Sequence, residues 1–322
     1  MSLELRDIVV EYRGAHNSMV RAVNGVSLTV EPGKVVGLVG ESGCGKSSLA
    51  RVASGLIKAS KGSVLFDGEP VAPLSWQRRP RRELGLQMVF QNPYSSLNPR
   101  RRIDAQLLDG VPADVPRRSR RSYVLEQLDR VGVAPDVAGR FPHQFSGGQL
   151  QRIAIARALV TRPSVLIADE PVTALDASSQ VHVVNTLTQL VRDLDVGMLF
   201  ISHDLALVRH IADTTAVMYL GKLAETAPTA QLWSQPGHPY TSSLIAAIPQ
   251  VKAGAGLPVA LAGEVPDPAN VPTGCAFRPR CPHASDECTR EPELWPHRAG
   301  RSACWLIHPG TEIPVRPAQP VA

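Results

Sequence analysis

Gly40-Glu41-Ser42-Gly43-Cys44-Gly45-Lys46-Ser47 decides how the rest of this 322-residue chain is read. It matches G-x-x-x-x-G-K-[ST] in full and stands between the two elements that pattern requires. Before it, Lys34-Val35-Val36-Gly37-Leu38-Val39 is a short apolar run bounded by glycine, the pattern of a buried strand. After it, a helix is expected to begin near Lys46. Glycines let such a loop curl until several N–H groups point inward at phosphate oxygens, and the helix start adds its positive dipole. Lys46 then supplies a mobile charge for the β- and γ-phosphates, and Ser47 a hydroxyl for Mg²⁺. The expected nucleotide contacts here are Gly40, Glu41, Ser42, Gly43, Cys44, Gly45, Lys46, Ser47 and Ser48. Cys44, close to these N–H groups and to Lys46, is expected to favour its thiolate.

Downstream, Val165-Leu166-Ile167-Ala168-Asp169-Glu170 reads as a second buried strand that ends by presenting two adjacent carboxylates. Asp169 is suited to hold Mg²⁺ and Glu170 to polarise an attacking water. Further strand patterns fall at residues 3–12, 26–40, 63–69, 197–201 and 216–220, and helical ones at 118–131, 149–160 and 181–194. Strands alternating with helices predict a parallel sheet covered on both faces. From Asn92 to about Pro142 proline, serine and arginine dominate, which marks a separate, mostly helical subdomain at about 92–160. Past Pro249 the chain turns rich in proline, glycine and alanine, as a linker does, and its last dozen residues read as a frayed tail.

Composition narrows the class. The chain is 43% hydrophobic and 20% charged, as ordinary globular proteins are. No apolar run approaches the roughly 18 residues that span a bilayer. The opening MSLELRDIVVEY carries charges every few residues and no apolar signal region, so a mature, cytosolic chain is expected. The net charge of +5 is spread over clusters at Arg78–Arg82, Arg100–Arg102 and Arg117–Arg121. No nucleic-acid motif accompanies them and few aromatics could stack bases, so these read as solvated faces and no nucleic-acid partner is expected.

Phe145-Ser146-Gly147-Gly148-Gln149-Leu150-Gln151-Arg152, lying between the two nucleotide motifs, resembles the signature of ATP-binding-cassette (ABC) ATPases. Gln91 falls where that family has its Q-loop glutamine, and Ala174-Leu175-Asp176 where it has its D-loop. His203 in Ile201-Ser202-His203-Asp204 matches the switch histidine, and Tyr12 is placed like the aromatic that stacks on adenine. The resemblance spans about residues 1–250 and implies an α/β fold. That fold has a phosphate-loop, RecA-like core, an antiparallel β subdomain and a helical signature subdomain. It further implies a head-to-tail dimer, each nucleotide lying between one subunit's phosphate loop and the other's Ser146, Gly147, Gly148 and Gln149, with Asp176 beside it. Lys46, Glu170 as base, His203 as γ-phosphate contact and Gln91 would carry catalysis, and Ser47, Asp169 and Gln91 would hold Mg²⁺. Phe145 in place of leucine and Thr173 in place of serine are mild departures.

Three stretches resemble the oligopeptide/dipeptide importer branch of that family, which also includes nickel importers. They are Asn92-Pro93-Tyr94-Ser95-Ser96-Leu97-Asn98-Pro99-Arg100, Gly237-His238-Pro239-Tyr240-Thr241 and Gly274-Cys275-Ala276-Phe277-Arg278-Pro279-Arg280-Cys281-Pro282. The branch implies an ATPase peripheral on the cytoplasmic face of the cell membrane, docked on two transmembrane permease subunits. It implies a second ATPase subunit, either self or paralogue, and an extracytoplasmic substrate-binding protein served indirectly. Peptide is the implied cargo and nickel or another small solute the alternative. A soluble ABC ATPase acting on nucleic acid is the alternative of another class, and the single uninterrupted cassette argues against it.

Residues 251–322 then form an extension that carries four of the five cysteines, Cys275, Cys281, Cys288 and Cys304, spaced C-x5-C-x6-C-x15-C. In a chain without an export signal such a set suggests a metal more than disulfides. Four thiolates suit a [4Fe–4S] cluster or a structural Zn²⁺, and the wide spacing leans toward iron–sulfur, as the branch resemblance also does. His283 and His297 are substitute ligands. The remaining alternative is no metal, since a cysteine is often simply a small buried hydrophobe.

Overall fold

The computed structural model describes residues 1–14, 19–76, 79–173, 175–249 and 263–308. The linker and tail readings past Pro249 and Pro309 therefore lie largely outside the described residues. The chain opens with two long strands, β1 (Leu3–Arg13) and β2 (Met19–Val30), which pair antiparallel. β3 (Val35–Val39) follows, so the 26–40 pattern is two strands, not one. Pro32 has no N–H to give to a ladder, and a turn in which Lys34 N–H reaches Glu31 C=O separates them. Next come α1 (Lys46–Ala53), β4 (Lys61–Phe66), β5 (Glu69–Pro70) and β6 (Leu86–Val89). β2, β1, β4 and β5 form an antiparallel four-stranded sheet, the expected β subdomain.

The helical region holds α2 (Ile103–Leu108), α3 (Arg120–Arg130) and α4 (Gly147–Leu159). Then β7 (Val165–Asp169), α5 (Ala177–Asp193), β8 (Gly197–Ile201), α6 (Leu205–Ile211), β9 (Thr214–Tyr219) and β10 (Lys222–Pro228) return the chain to the main sheet. α7 (Thr229–Ser234), α8 (Pro239–Ala246) and the short strands β11 (Trp295–His297) and β12 (Gly300–Ser302) complete it.

The main sheet runs β11-β12-β10-β9-β3-β8-β7-β6, with β9, β3, β8, β7 and β6 mutually parallel. Every residue of β3, β7 and β8 is buried, as expected of a sheet covered on both faces. Alternate residues serve two cores. Val35, Val39, Leu166, Ala168, Met198 and Phe200 face the helical region and α4. Val36, Leu38, Val165, Ile167, Leu199 and Ile201 face α1 and the antiparallel sheet. The extension is no loose appendage: β12 pairs with β10 at Glu225↔Ser302 and Thr226↔Arg301, so the main sheet continues into it.

α8 begins at the Gly-His-Pro-Tyr-Thr stretch. Pro239 takes the first helical position, where its missing N–H is harmless, and His238 caps the helix, its Nδ1 accepting the Tyr240 N–H at 3.0 Å. Burial of His238 lowers its pKa to about 4. The unfolded imidazole takes up a proton near pH 6.5, the folded one only near 4, so stability falls as pH drops between those values. The loss is about 3 kcal/mol at most, complete near pH 4. His238→Asn, which keeps a capping side chain without a titrating one, should flatten that part of the Tm-against-pH curve.

Candidate active site

Four neighbouring strands end on one side of the sheet and each delivers part of the site. β3 feeds the phosphate loop, β8 leads to His203, β7 ends in Asp169 and Glu170, and β6 leads to Gln91. Two of the loop's glycines are required by space. At Gly45, which caps α1 at φ 106°, a Cβ would lie 2.0 Å from the Ala22 carbonyl oxygen. At Gly40 it would lie 2.1 Å from that of Met218. Lys46 is 5% exposed. Its Nζ donates to the carbonyls of Gly40 at 2.8 Å and Glu41 at 2.9 Å and lies 3.7 Å from Cys44 Sγ, so the ammonium is held inside the loop.

Ser47 Oγ donates to Asp169 Oδ1 at 3.1 Å, which joins two of the three expected Mg²⁺ ligands. Burial raises the Asp169 pKa, and the Ser47 hydrogen bond opposes it. A buried carboxylate, a hydroxyl and the nearby Gln91 amide are hard oxygen donors of the kind Mg²⁺ takes, so the residues fit that ion. Glu170 sits at φ 45°, a strained conformation for glutamate, where its N–H donates to Ile201 C=O at 3.0 Å. Its Oε2 accepts from Gln91 Nε2 at 3.0 Å and from Thr173 Oγ1 at 3.0 Å, and His203 Nδ1 lies 3.4 Å away. Three side chains from three segments thus converge on one carboxylate oxygen. The Tyr12 hydroxyl donates to Ser48 Oγ at 3.2 Å, which sets its half-exposed ring beside the loop's end.

The signature lies elsewhere. Ser146 caps α4, its Oγ accepting the Gln149 N–H at 3.3 Å while Gln149 Oε1 accepts the Ser146 N–H at 3.0 Å. Ser146, Gly147 and Gln149 are exposed and Gly148 half-buried. Among the described residues no hydrogen bond or ion pair ties any of them to the chain's own phosphate loop. Asp176 caps α5 by accepting the Ser179 N–H at 3.0 Å. Of the expected D-loop, Ala174 lies outside the described residues.

One chemical expectation is corrected. Cys44 is 4% exposed, and burial raises its thiol pKa against the pull of Lys46, so it is a buried thiol and not a poised thiolate. In the extension, Cys275, Cys281, Cys288 and Cys304 do line one pocket, with Phe277 and Trp305 among its walls. Its volume is about 10 Å³. Burial pushes Cys281 up to about 11 and Cys304 up to about 12. Among the described residues, however, no set of three or more His, Cys, Asp or Glu side chains is arranged to hold a metal ion. The four thiols thus line one pocket without forming a coordination set among the described residues.

Thr173, noted only as a departure in the sequence, is a partner of Glu170, and its signal was a hydroxyl three residues beyond the carboxylate. Arg280 and Tyr240 carried no expected role at the site, yet both reach Glu41 of the phosphate loop. No local pattern pointed to them, because Arg280 is 239 positions away.

Known proteins place this geometry. The profile of the family described as ABC transporter matches residues 23–173, and that of the oligopeptide/dipeptide transporter C-terminal region matches residues 224–288. The Di/tripeptide transport ATP-binding protein DppF of Pseudomonas aeruginosa is 44% identical over 91% of this chain and 93% of its own length. The oligopeptide transport ATP-binding protein AppF of Bacillus subtilis is 43% identical over 90% and 92%. The ATP-binding cassette MJ0796, solved as a dimer in a post-hydrolysis state bound to ADP and Pi, superposes with a TM-score of 0.64 at 25% identity, over 70% of this chain and 98% of that one. Likeness over nine-tenths of the chain, together with a formed phosphate loop and carboxylate pair, means that this protein belongs to the ABC transporter family, as an ATP-hydrolysing subunit of the branch with an oligopeptide/dipeptide-type C-terminal region.

Proposed function

We propose that this ATPase powers the import of dipeptides or short oligopeptides from the cytoplasmic face of a two-subunit permease. The observation that carries the reading is the C-terminal region. Its match to the oligopeptide/dipeptide type begins within β10, and the structure seats that region directly on the phosphate loop. The loop after Gln91 supports it. Asn92 Oδ1 and the buried Gln106 amide hold residues 92–101 in a fixed shape that leaves Tyr94 57% exposed. Such a surface suits a permease helix. Among the described residues no helix is long and apolar enough to cross a membrane.

Hydrolysis follows from the side chains. Loop N–H groups and Lys46 bind the phosphates, and Lys46 exchanges its carbonyl contacts for theirs. Ser47, Asp169 and Gln91 would hold Mg²⁺, which when bound would supply positive charge against the phosphates. Glu170, oriented by Gln91, Thr173 and His203, takes a proton from water as the water oxygen bonds to the γ-phosphorus and the bridging β–γ P–O bond breaks, giving ADP and phosphate. Ser146–Gln149 serve the nucleotide of a second subunit, head to tail. Their exposure and their separation from this chain's own loop support that arrangement, and the relative MJ0796 is dimeric. In proteoliposomes with the permease, peptide-loaded binding protein should raise ATP turnover several-fold. Stimulation by nickel-loaded binding protein alone, or by nucleic acid, would overturn the peptide reading.

The cysteine pocket supports a narrower reading, a thiolate-bound metal that closes the extension, iron–sulfur before zinc. Four thiols from separate segments meeting at one pocket support it, and the missing coordination set weighs against it. Anaerobically purified protein should be brown with four irons per chain. Colourless protein with one zinc would reverse the preference, and metal-free protein of unchanged Tm would dismiss both.

A further inference from the structure

Arg280 lies in a short 3-10 turn, Arg278–Arg280, just before Cys281. Its side chain is 3% exposed, and its Nη1 and Nη2 donate to Glu41 Oε2 at 2.7 Å and Oε1 at 2.9 Å, a two-pronged ion pair. The guanidinium carbon stands 5.9 Å from the ring centroids of both Tyr219 and Phe277, and Nη1 is 3.4 Å from the Tyr219 hydroxyl. The rings of Tyr219, Tyr240, Phe277 and His238 pack together with centroids 4.6 to 5.8 Å apart, joining β9, α8 and the extension.

Glu41 is thereby held at every polar group. Its carboxylate is taken by Arg280, its N–H donates to the Tyr240 hydroxyl at 3.0 Å, and its carbonyl accepts from Lys46 Nζ at 2.9 Å. A carboxylate in a phosphate-binding loop is otherwise out of place, since it repels the anion the loop must take. With Arg280 on it, the pair presents no net charge.

We propose that Arg280 is a positioning residue for nucleotide binding: by neutralising Glu41 and pinning it, the cysteine-bearing extension sets the affinity of the phosphate loop for ATP. Removing the arginine exposes ATP to an uncompensated carboxylate and frees the loop's entrance. The consequence concerns ATP alone, so it stands whatever cargo the transporter carries. The plainer alternative is a staple that only holds the extension down.

The test is steady-state ATPase of the assembled transporter and ATP binding to the full chain. Arg280→Ala should raise KM and Kd for ATP about ten-fold while kcat stays within about three-fold, the mark of lost ground-state binding. That penalty should shrink at high salt, because the remaining repulsion is partly screened. Arg280→Ala with Glu41→Gln should bring KM back to within about three-fold of the starting protein, since the offending charge is gone. A mere staple predicts no rescue and no salt dependence. An unchanged KM in Arg280→Ala, or a double variant as impaired as the single one, overturns the proposal. Should Arg280→Ala not fold, Arg280→Lys is read instead. It keeps the charge and loses the fork, so a rise of about three-fold is expected, and no rise overturns the proposal.

Discussion

Glu170→Gln should lower kcat for ATP hydrolysis about 10³-fold and leave nucleotide affinity within a few-fold, as phosphate release and ATP binding would show. General-base groups contribute roughly 10² to 10⁴ in rate, and here one oxygen gathers all the orienting contacts. The amide is nearly the same size, and its oxygen can still accept from Gln91 and Thr173, so the surrounding loops keep their shape. What is lost is the capacity to take water's proton. Retention of more than a tenth of the activity would move the base elsewhere. Thr173→Val should act in the same direction but far more weakly, since the carboxylate keeps Gln91.

Lys46→Met should have two large effects of opposite sign. The ammonium is buried and donates to the neutral carbonyls of Gly40 and Glu41, and among the described residues no carboxylate forms an ion pair with it. A charge held that way is expensive to desolvate, and an apolar chain of similar length fits the same tunnel. Thermal stability of the chain without nucleotide should therefore hold or rise. ATP, by contrast, loses the one mobile cation inside the loop, and affinity should fall about 10²- to 10³-fold, the size of effect seen when one partner of a buried charge pair is removed. Isothermal titration and a thermal melt on the same sample read both. Lower stability together with unchanged affinity would mean that the lysine is structural.

Much of this was legible in the sequence because it is local. A phosphate loop, a strand ending in Asp169-Glu170 and a helix opening at Ser146 are each fixed by a few consecutive residues, and the structure places each of them on the expected element. Readings failed where burial decides. Cys44 has the neighbours of a thiolate but the exposure of a core residue. β10 escaped notice because its Lys-Leu-Ala-Glu-Thr sequence reads as polar, whereas Glu225 is 2% exposed and accepts the N–H groups of Gly237 and His238 at 2.7 and 3.0 Å. The cysteine spacing said nothing of how the four thiols sit in space, and the structure brings them to one pocket without a coordination set among the described residues. Arg280 was hidden for the same reason, since a charge pair across 239 positions leaves no periodicity behind.

The order of the strand ends carries a mechanical meaning. β3, β8, β7 and β6 set the loop, His203, the carboxylates and Gln91 in a row, as marks on a ruler about 14 Å long at the usual strand spacing. The first three marks belong to strands stitched on both flanks, so displacing any of them would unpick two seams. β6 ends the described sheet and is sewn along one side only. Gln91 is thus mounted on the selvedge of the cloth, where a tug from the loop that follows it can lift one finger off the Glu170 carboxylate without loosening the anvil on which the phosphates rest.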